Sequence, residues 1–331
     1  MPRQSQLVKT FLTLTDYQKR AIIKTILDYD QLNQQAVQTC PTVCPVCQAS
    51  EGFYKRGWVG KKQRYQCKSC QHRFVFDKGQ LTAHSHQPLD AWGTLMLDTL
   101  CAVPMTVTAA TIDVNPTTVF YMRHKFLRAL EILVQSEQLA DIIELDETYV
   151  NDSYKGTPVP TGRKARKHGE SAQQRGLSEE KVCVCFGADR VGHMVAQCVN
   201  RAKPTSHHIL SVFQFKVSAQ SIIITDGAFC YDAIKQVTRA SDISLKSHTS
   251  FTPVLHLNTV NNLHSHFKQL MIKYRGVSTK YLNRYLALFV FMRQTAQMDA
   301  HEKLLLILRK LKQVSVYATI SQIKSSHLLA I

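Results

Sequence analysis

The sequence contains no run of eighteen apolar residues, so it offers no membrane span of ordinary length. Its opening, MPRQSQLVKTFLTLTDYQKR, has no apolar stretch followed by a small-residue cleavage site, so no secretory signal is expected. No internal repeat or low-complexity tract is present, which excludes solenoids and biased tails. Acidic residues are scarce: 24 Asp and Glu stand against 41 Lys and Arg, a formal net charge of +17. That excess opposes the compact state by self-repulsion and predicts a polyanionic partner. Nucleic acid is favoured over an anionic membrane, because no strongly amphipathic basic helix is seen. Hydrophobic residues make up 44% of the 331, enough for buried cores in two or three domains.

Without a secretory signal, the ten cysteines are expected in a reducing compartment, where spaced thiols read as metal ligands before disulfides. Cys44-x2-Cys47 and Cys67-x2-Cys70 are separated by nineteen residues. Each pair forms one knuckle, and two knuckles complete a tetrahedral four-thiolate shell. A closed shell leaves no place for water, so the expected Zn²⁺ is structural. Cys40 breaks the spacing and reads as a bystander. The other five cysteines, Cys101, Cys183, Cys185, Cys198 and Cys230, sit in apolar contexts and read as small core residues.

Residues 40–80 thus form an expected zinc ribbon. Lys55, Arg56, Lys61, Lys62 and Arg64 lie among Tyr54, Trp58 and Tyr65, as a surface for phosphates and stacked bases requires. Tyr65 and Phe74 read more simply as the ribbon's own core. Residues 1–39 are read as an N-terminal helical segment, with a helix over 11–38. Residues 85–135 carry a helix-turn-helix pattern, with Asn115 as cap and Pro116 as first residue of the second helix. That helix is expected to present Arg123 and Lys125 to DNA. On its own the pattern fits any helical hairpin.

Beyond residue 138 the character changes to mixed α/β. IIELDETYV, KVCVCFGADR, GHMVAQCVN and SIIIT read as strands, with a hairpin turn at Asp189–Gly192, and a helix is expected over 205–215. A fifth strand is expected near 242–247. Asp146 sits within an apolar strand, and Asp226 ends another before Gly227. Two such carboxylates can converge on divalent metals that serve phosphoryl transfer; taken singly, each also reads as a strand-edge residue or a helix cap. A helix from about Thr259 sets Asn261, Ser265 and Lys268 on one face. Asn261 offers an amide oxygen, and Lys268 a point charge for phosphate. Glu144 shares the strand face of Asp146 and reads either as a supplement to the site or as a structural salt bridge. His256, His264 and His266 read as polar or DNA-facing. The basic stretch 151–181, with Arg163, Lys164, Arg166 and Lys167, is expected to be an exposed loop that grips DNA.

The segments CPVC, RYQCKSCQHRF, IIELDETYV, RGLSEEKVCVC, ITDG and HLNTVNNLHSHFK, with YRGVSTKYLNRYL after it, occur in an order that resembles bacterial insertion-sequence transposases of the ISXO2-like group, over residues 40–293. The resemblance implies a ribonuclease H-like catalytic domain, here 138–298; residues 299–331 lie outside it and read, from their own pattern, as a C-terminal helical tail. It implies an Asp-Asp-Glu or Asp-Asp-Asn triad, carried here by Asp146, Asp226 and Asn261 with Lys268 beside it, holding Mg²⁺ or Mn²⁺. It further implies double-stranded DNA partners (the element's terminal repeats and a target), a homodimer or larger synaptic complex, and a cytoplasmic, nucleoid-associated protein. Two alternatives stay open: a non-catalytic DNA-binding regulator derived from a transposase, which Asn261 favours, and a nuclease without strand transfer.

Overall fold

The computed structural model describes most of residues 41–75, then 81–156, 180–245, 255–311 and 318–325, apart from a few positions within them. The helix expected over 11–38, Thr15 apart, and the basic cluster Arg163, Lys164, Arg166 and Lys167 lie outside the described residues, as do Cys40 and Lys61. Two compact units result: residues up to Gly93 with Met298–Tyr317, and Thr94–Gln297 with Ala318–Ile331.

The first unit contains a three-stranded antiparallel sheet, β1 (Phe53–Val59), β2 (Lys62–Cys67) and β3 (Arg73–Val75), in the order β1-β2-β3. Its core is aromatic. Phe74 meets Phe53 edge-on at 5.6 Å and lies 6.3 Å from Tyr65, which is buried. A bulge between Lys55 and Trp58 places Gly57 at φ 76°, where a side chain would be strained.

In the second unit the expected strands and hairpin form. The sheet contains β4 (Ile142–Asn151), β5 (Lys181–Asp189), β6 (Met194–Arg201), β7 (Ile222–Thr225) and β8 (Ser241–Ser244), ordered β6-β5-β4-β7-β8. β4, β5 and β6 run antiparallel, whereas β7 pairs parallel to β4 and β8 parallel to β7. β8 covers the start of the expected stretch, and Leu245 N–H still donates to Thr225 O at 2.8 Å; residues 246 and 247 lie outside the described residues. Asp189 pins the hairpin: its buried carboxylate accepts from the backbone N–H groups of Val191, Gly192 and His193.

Helices cover both faces of this sheet. Within unit two, α1 (Leu89–Leu100, from Thr94 on), α2 (Met105–Ile112) and α3 (Pro116–Val134) precede β4; α4 (Ser206–Phe213) and α5 (Asp232–Thr238) follow β6 and β7. α6 (Asn258–Lys273) and α7 (Leu282–Gln294) come after β8. One core joins Val182, Val184 and Phe186 to Val260, Phe267, Leu286 and Phe289; the other joins Ile143, Leu145, Cys183 and Cys185 to Ile209, Phe213, Tyr231 and Ile234. Cys183 and Cys185 are thus core residues on one strand face, as their spacing of two predicts. Cys101, by contrast, is exposed. Gly187 is required by packing, since a Cβ there would lie 2.8 Å from side-chain atoms of Leu139 and Phe213. α8 (Ala300–Leu311) belongs to the first unit, and α9 (Ile320–Lys324) to the second.

The helical hairpin α2–α3 has the expected turn. Asn115 Oδ1 accepts from Thr117 N at 2.8 Å, and Pro116 opens α3. Its role for Arg123 is a correction. Arg123 is 2% exposed and donates to Val103 O at 2.9 Å, so its guanidinium braces the turn before α2 and does not face DNA. The reason is that α3 is apolar on most sides and packs along α7, burying Met122, Phe126, Leu127 and Leu130. Lys125 is half-buried, and burial pushes its amine below the ordinary lysine range. Among the described residues no helix is long and apolar enough to cross a membrane.

Candidate active site and metal sites

The cysteine site is assembled locally. The four Sγ atoms of Cys44, Cys47, Cys67 and Cys70 all lie within 4.8 Å of one another, with Cys44–Cys70 and Cys47–Cys67 each at 3.6 Å. A tetrahedral zinc with bonds of about 2.3 Å sets its sulfurs roughly 3.8 Å apart, so the cluster is compatible with zinc. The knuckle bonds are in place. Val46 N–H points at Cys44 Sγ at 3.5 Å, and Gln71, at φ 60°, donates to Cys67 O at 3.1 Å. Backbone amides of Cys70, then of Ser69, favour the Cys67 thiolate and pull that thiol down to about 6. Thiolate is the form a metal requires.

Beside it, β1 is a largely exposed strand. Lys55 and Arg56 are exposed on it, with Tyr54 at 48% and Trp58 at 62% exposure. The Arg56 guanidinium lies 5.5 Å from the Tyr54 ring centre, and Lys68 Nζ 5.3 Å. Arg64 lies on β2, half-buried, and Lys62 opens that strand.

The carboxylate site depends on the sheet's topology. The parallel ladder pairs Ile142 with Ile222 and Glu144 with Ile224. Two positions further, that register sets Asp146 opposite Asp226, just past the end of β7. This is the switch point of the sheet, where β4 has an antiparallel neighbour on one side and a parallel one on the other. Burial, the charge of adjacent Glu147 and then that of Asp226 push the Asp146 carboxyl up to about 7. Burial and Asp226 likewise raise Glu147. Three carboxyl groups therefore crowd one another, a donor set that a divalent cation would relieve.

α6 supplies the third element. His264 Nδ1 lies 3.9 Å from Asp146 Oδ2, so the α6 face carrying Asn261, His264 and Lys268 at i, i+3 and i+7 borders Asp146. Asn261 and Lys268 are exposed. His264 is buried, against the expectation of a polar or DNA-facing side chain. Burial and then Lys268 lower its imidazole to about 4, so it is neutral near pH 7.

Glu144 resolves towards the salt bridge. It is fully buried, is ion-paired to Arg190, and accepts from Val260 N at 2.9 Å. A carboxylate on the first turn of α6 suits the helix dipole and fixes the residue next to Asn261. His256 Nδ1 lies 3.3 Å from the same carboxylate. Asp226 is exposed, and its Oδ1 accepts from Ala228 N at 2.9 Å. The segment after β4 is tied down as well: Asp152 accepts from Thr279 Oγ1 at 2.7 Å and from Arg201 Nε at 3.0 Å, and Lys155 Nζ donates to Arg275 O at 2.9 Å.

Two groups at this site escape a reading of the sequence alone. His264 stands between Asn261 and Lys268 at helical spacing, a signal masked by two other histidines nearby. Glu147 falls in the otherwise apolar row Ile143, Leu145, Tyr149 of β4 and accepts from Tyr231 OH at 2.5 Å. A carboxylate interrupting such a row is the signal that would have revealed it.

Comparison with solved structures gives the mariner Mos1 paired end complex with Mn, at 14% identity over 63% of this chain and 71% of that one, TM-score 0.28. The Mos1 strand transfer complex matches at 16% identity over 70% and 77%, TM-score 0.28. A pre-cleavage Mos1 transpososome matches at 13% over 74% and 84%, TM-score 0.25. No curated protein matches the chain. The ISXO2-like transposase domain model matches residues 138–294, the stretch that contains the whole five-stranded sheet, Asp146, Asp226 and α6. Residues 138–294 of this chain therefore carry an ISXO2-like transposase domain.

Proposed function

We propose that the protein cuts and joins DNA at the ends of a bacterial insertion sequence, with Asp146, Asp226, Asn261 and Lys268 as the reaction site of a ribonuclease H-like domain at 138–298. The observation that carries this is the register that sets Asp146 beside Asp226 at the switch point, under the α6 face of Asn261. The crowded carboxyl groups fit Mg²⁺ or Mn²⁺ held by Asp146, Asp226 and Asn261. Such an ion supplies the positive charge that steadies the attacking and leaving oxygens of phosphoryl transfer.

Each side chain has a separate task. Asp146, at about 7, has to release its proton before it can serve as a ligand, and near neutral pH it is poised to do so. Asn261 adds an oxygen but no charge, leaving charge to the two aspartates. Lys268, one turn beyond His264, is placed to hold a phosphate as a point charge. Neutral His264 walls the site beside Asp146 and adds no positive charge there. Glu144 keeps α6 at the right height on β4. Water then attacks a phosphorus at the element end, the P–O bond to the 3′ oxygen breaks, and a 3′ hydroxyl is freed. That hydroxyl attacks a target phosphate and displaces a second 3′ oxygen. Both steps are in-line displacements, so one site serves both.

The four thiolates would hold a structural Zn²⁺, and the exposed β1 cations Lys55 and Arg56, with Arg64, Lys62 and Lys61, would bind duplex DNA. Arg163, Lys164, Arg166 and Lys167 would grip it near the cleavage point. Two ends in one reaction call for a homodimer or larger synaptic complex. The test is a cleavage and strand-transfer assay on element-end DNA with Mg²⁺ or Mn²⁺. Wild type should cut and join. Cutting without joining would favour a plain nuclease, and no cutting with either metal would favour a regulator, the reading for which Asn261 speaks.

A further inference from the structure

We infer that Glu147 and Tyr231 form a clamp that fixes the separation of Asp146 and Asp226, which makes them positioning residues of the metal site. This rests on the reading above that both aspartates hold a divalent ion.

The ladder between β4 and β7 ends at Glu144 and Ile224, two residues short of both aspartates. Asp226 is exposed in the connection after β7, just before Gly227 at φ 82°. Outside the ladder, a carboxylate's position depends on whatever else ties it down. Here a continuous run of hydrogen bonds does so. Glu147 N–H donates to Asp146 Oδ1 at 2.9 Å. Glu147 Oε2 accepts from Tyr231 OH at 2.5 Å. Tyr231 N–H donates to Ala228 O at 3.1 Å, and Ala228 N–H to Asp226 Oδ1 at 2.9 Å. The run starts on one aspartate and ends on the other.

The clamp has firm footings. Tyr231 is fully buried in the core beneath β4, among Ile143, Leu145 and Ile234. The second oxygen of Glu147 accepts from Tyr149 OH at 3.3 Å. Both tyrosines use their one hydroxyl proton on this carboxylate, which holds it in one orientation. The neutral third ligand gives the spacing its importance. With no charge from Asn261, affinity for the ion depends on how well two carboxylates meet it, and a small shift between strand tips is costly.

The probe is Mn²⁺ alone, titrated into metal-free carboxylate sites of the zinc-loaded full chain and followed by electron paramagnetic resonance. Asp146→Asn should abolish binding at this site. Tyr231→Phe removes only the hydroxyl and should weaken Mn²⁺ about tenfold or more, the usual scale for losing a group behind a ligand. Glu147→Ala should do the same, and the double variant no more than either single one, since both remove the same link. Glu147→Gln keeps an acceptor for Tyr231 and should stay near wild type. Wild-type affinity in Tyr231→Phe, with Asp146→Asn unable to bind, would overturn the clamp and leave the metal site standing. Loss in Glu147→Gln as deep as in Asp146→Asn would also overturn it, because Glu147 would then touch the ion. Undiminished binding by Asp146→Asn would overturn the metal-site reading itself. Should Tyr231→Phe unfold at the titration temperature, Glu147→Ala against Glu147→Gln decides the same question.

Discussion

The two candidate metal sites are built on opposite principles. The cysteine site draws all its ligands from Cys44 to Cys70, closes its shell with sulfur, and is surrounded by knuckle amides that favour thiolate. The proposed carboxylate site would draw on Asp146, Asp226 and Asn261, spread over three elements of a second unit, and it crowds its carboxyl groups together. A closed shell satisfied by its own chain can only hold a fold together. An open, crowded one costs stability until something cationic arrives, and that is the pattern of a site made for chemistry.

Breaking the cysteine shell should have the largest effect. Structural zinc in small modules contributes about 10–16 kcal/mol. Chelation, or Cys67→Ser, should therefore erase the calorimetric transition of the ribbon and leave that of the Thr94–Gln297 unit in place. One shared transition that disappears as a whole would show that the two units do not fold separately.

Next in size is the ribbon's share of DNA binding. Replacing Lys55, Arg56 and Arg64 together by Ala should weaken binding and reduce the slope of log affinity against log salt by about 1 for each phosphate no longer neutralised. An unchanged slope would place the DNA interface elsewhere.

The crowded carboxylates sharpen the comparison from the other side. Asp146 is held up at about 7 from an ordinary 3.8, so the metal-free folded state binds a proton that the unfolded state has released. Stability from this group is present below about pH 4 and declines as pH rises towards 7. Asp146→Asn, which cannot ionise, should be more stable than wild type at pH 7 by roughly 1–3 kcal/mol without metal, and equal to it near pH 4. Denaturant titrations at both pH values check this. The smallest expected effect is at Asn261. Asn261→Asp adds the charge that the amide withholds and should tighten Mn²⁺ several-fold by titration, with no change in zinc content.

The same contrast explains what the sequence reveals. Cys-x2-Cys is a geometry written as spacing, so the thiol cluster is legible from residue order alone. The strands are legible from apolar runs, and the α3 start from Asn115 and Pro116. The partnership of Asp146 with Asp226 is open to expectation from their strand positions and the resemblance, but its geometry is not legible, because the β5–β6 hairpin and α4 intervene in the chain and only a parallel return to β4 brings Asp226 alongside. Arg123 misleads because periodicity identifies a helix but not how many of its sides are packed. His264 and Glu147 are hidden for the same reason: their meaning lies in Asp146 and Tyr231, residues on other elements.

On the reading proposed above, reaction and architecture are divided between the two sites. Asp226→Asn tests it most directly, with zinc content, affinity for element-end DNA and strand cleavage measured on one preparation. Full zinc, wild-type DNA affinity and no cleavage are expected. Cleavage at the wild-type rate by Asp226→Asn would contradict that reading.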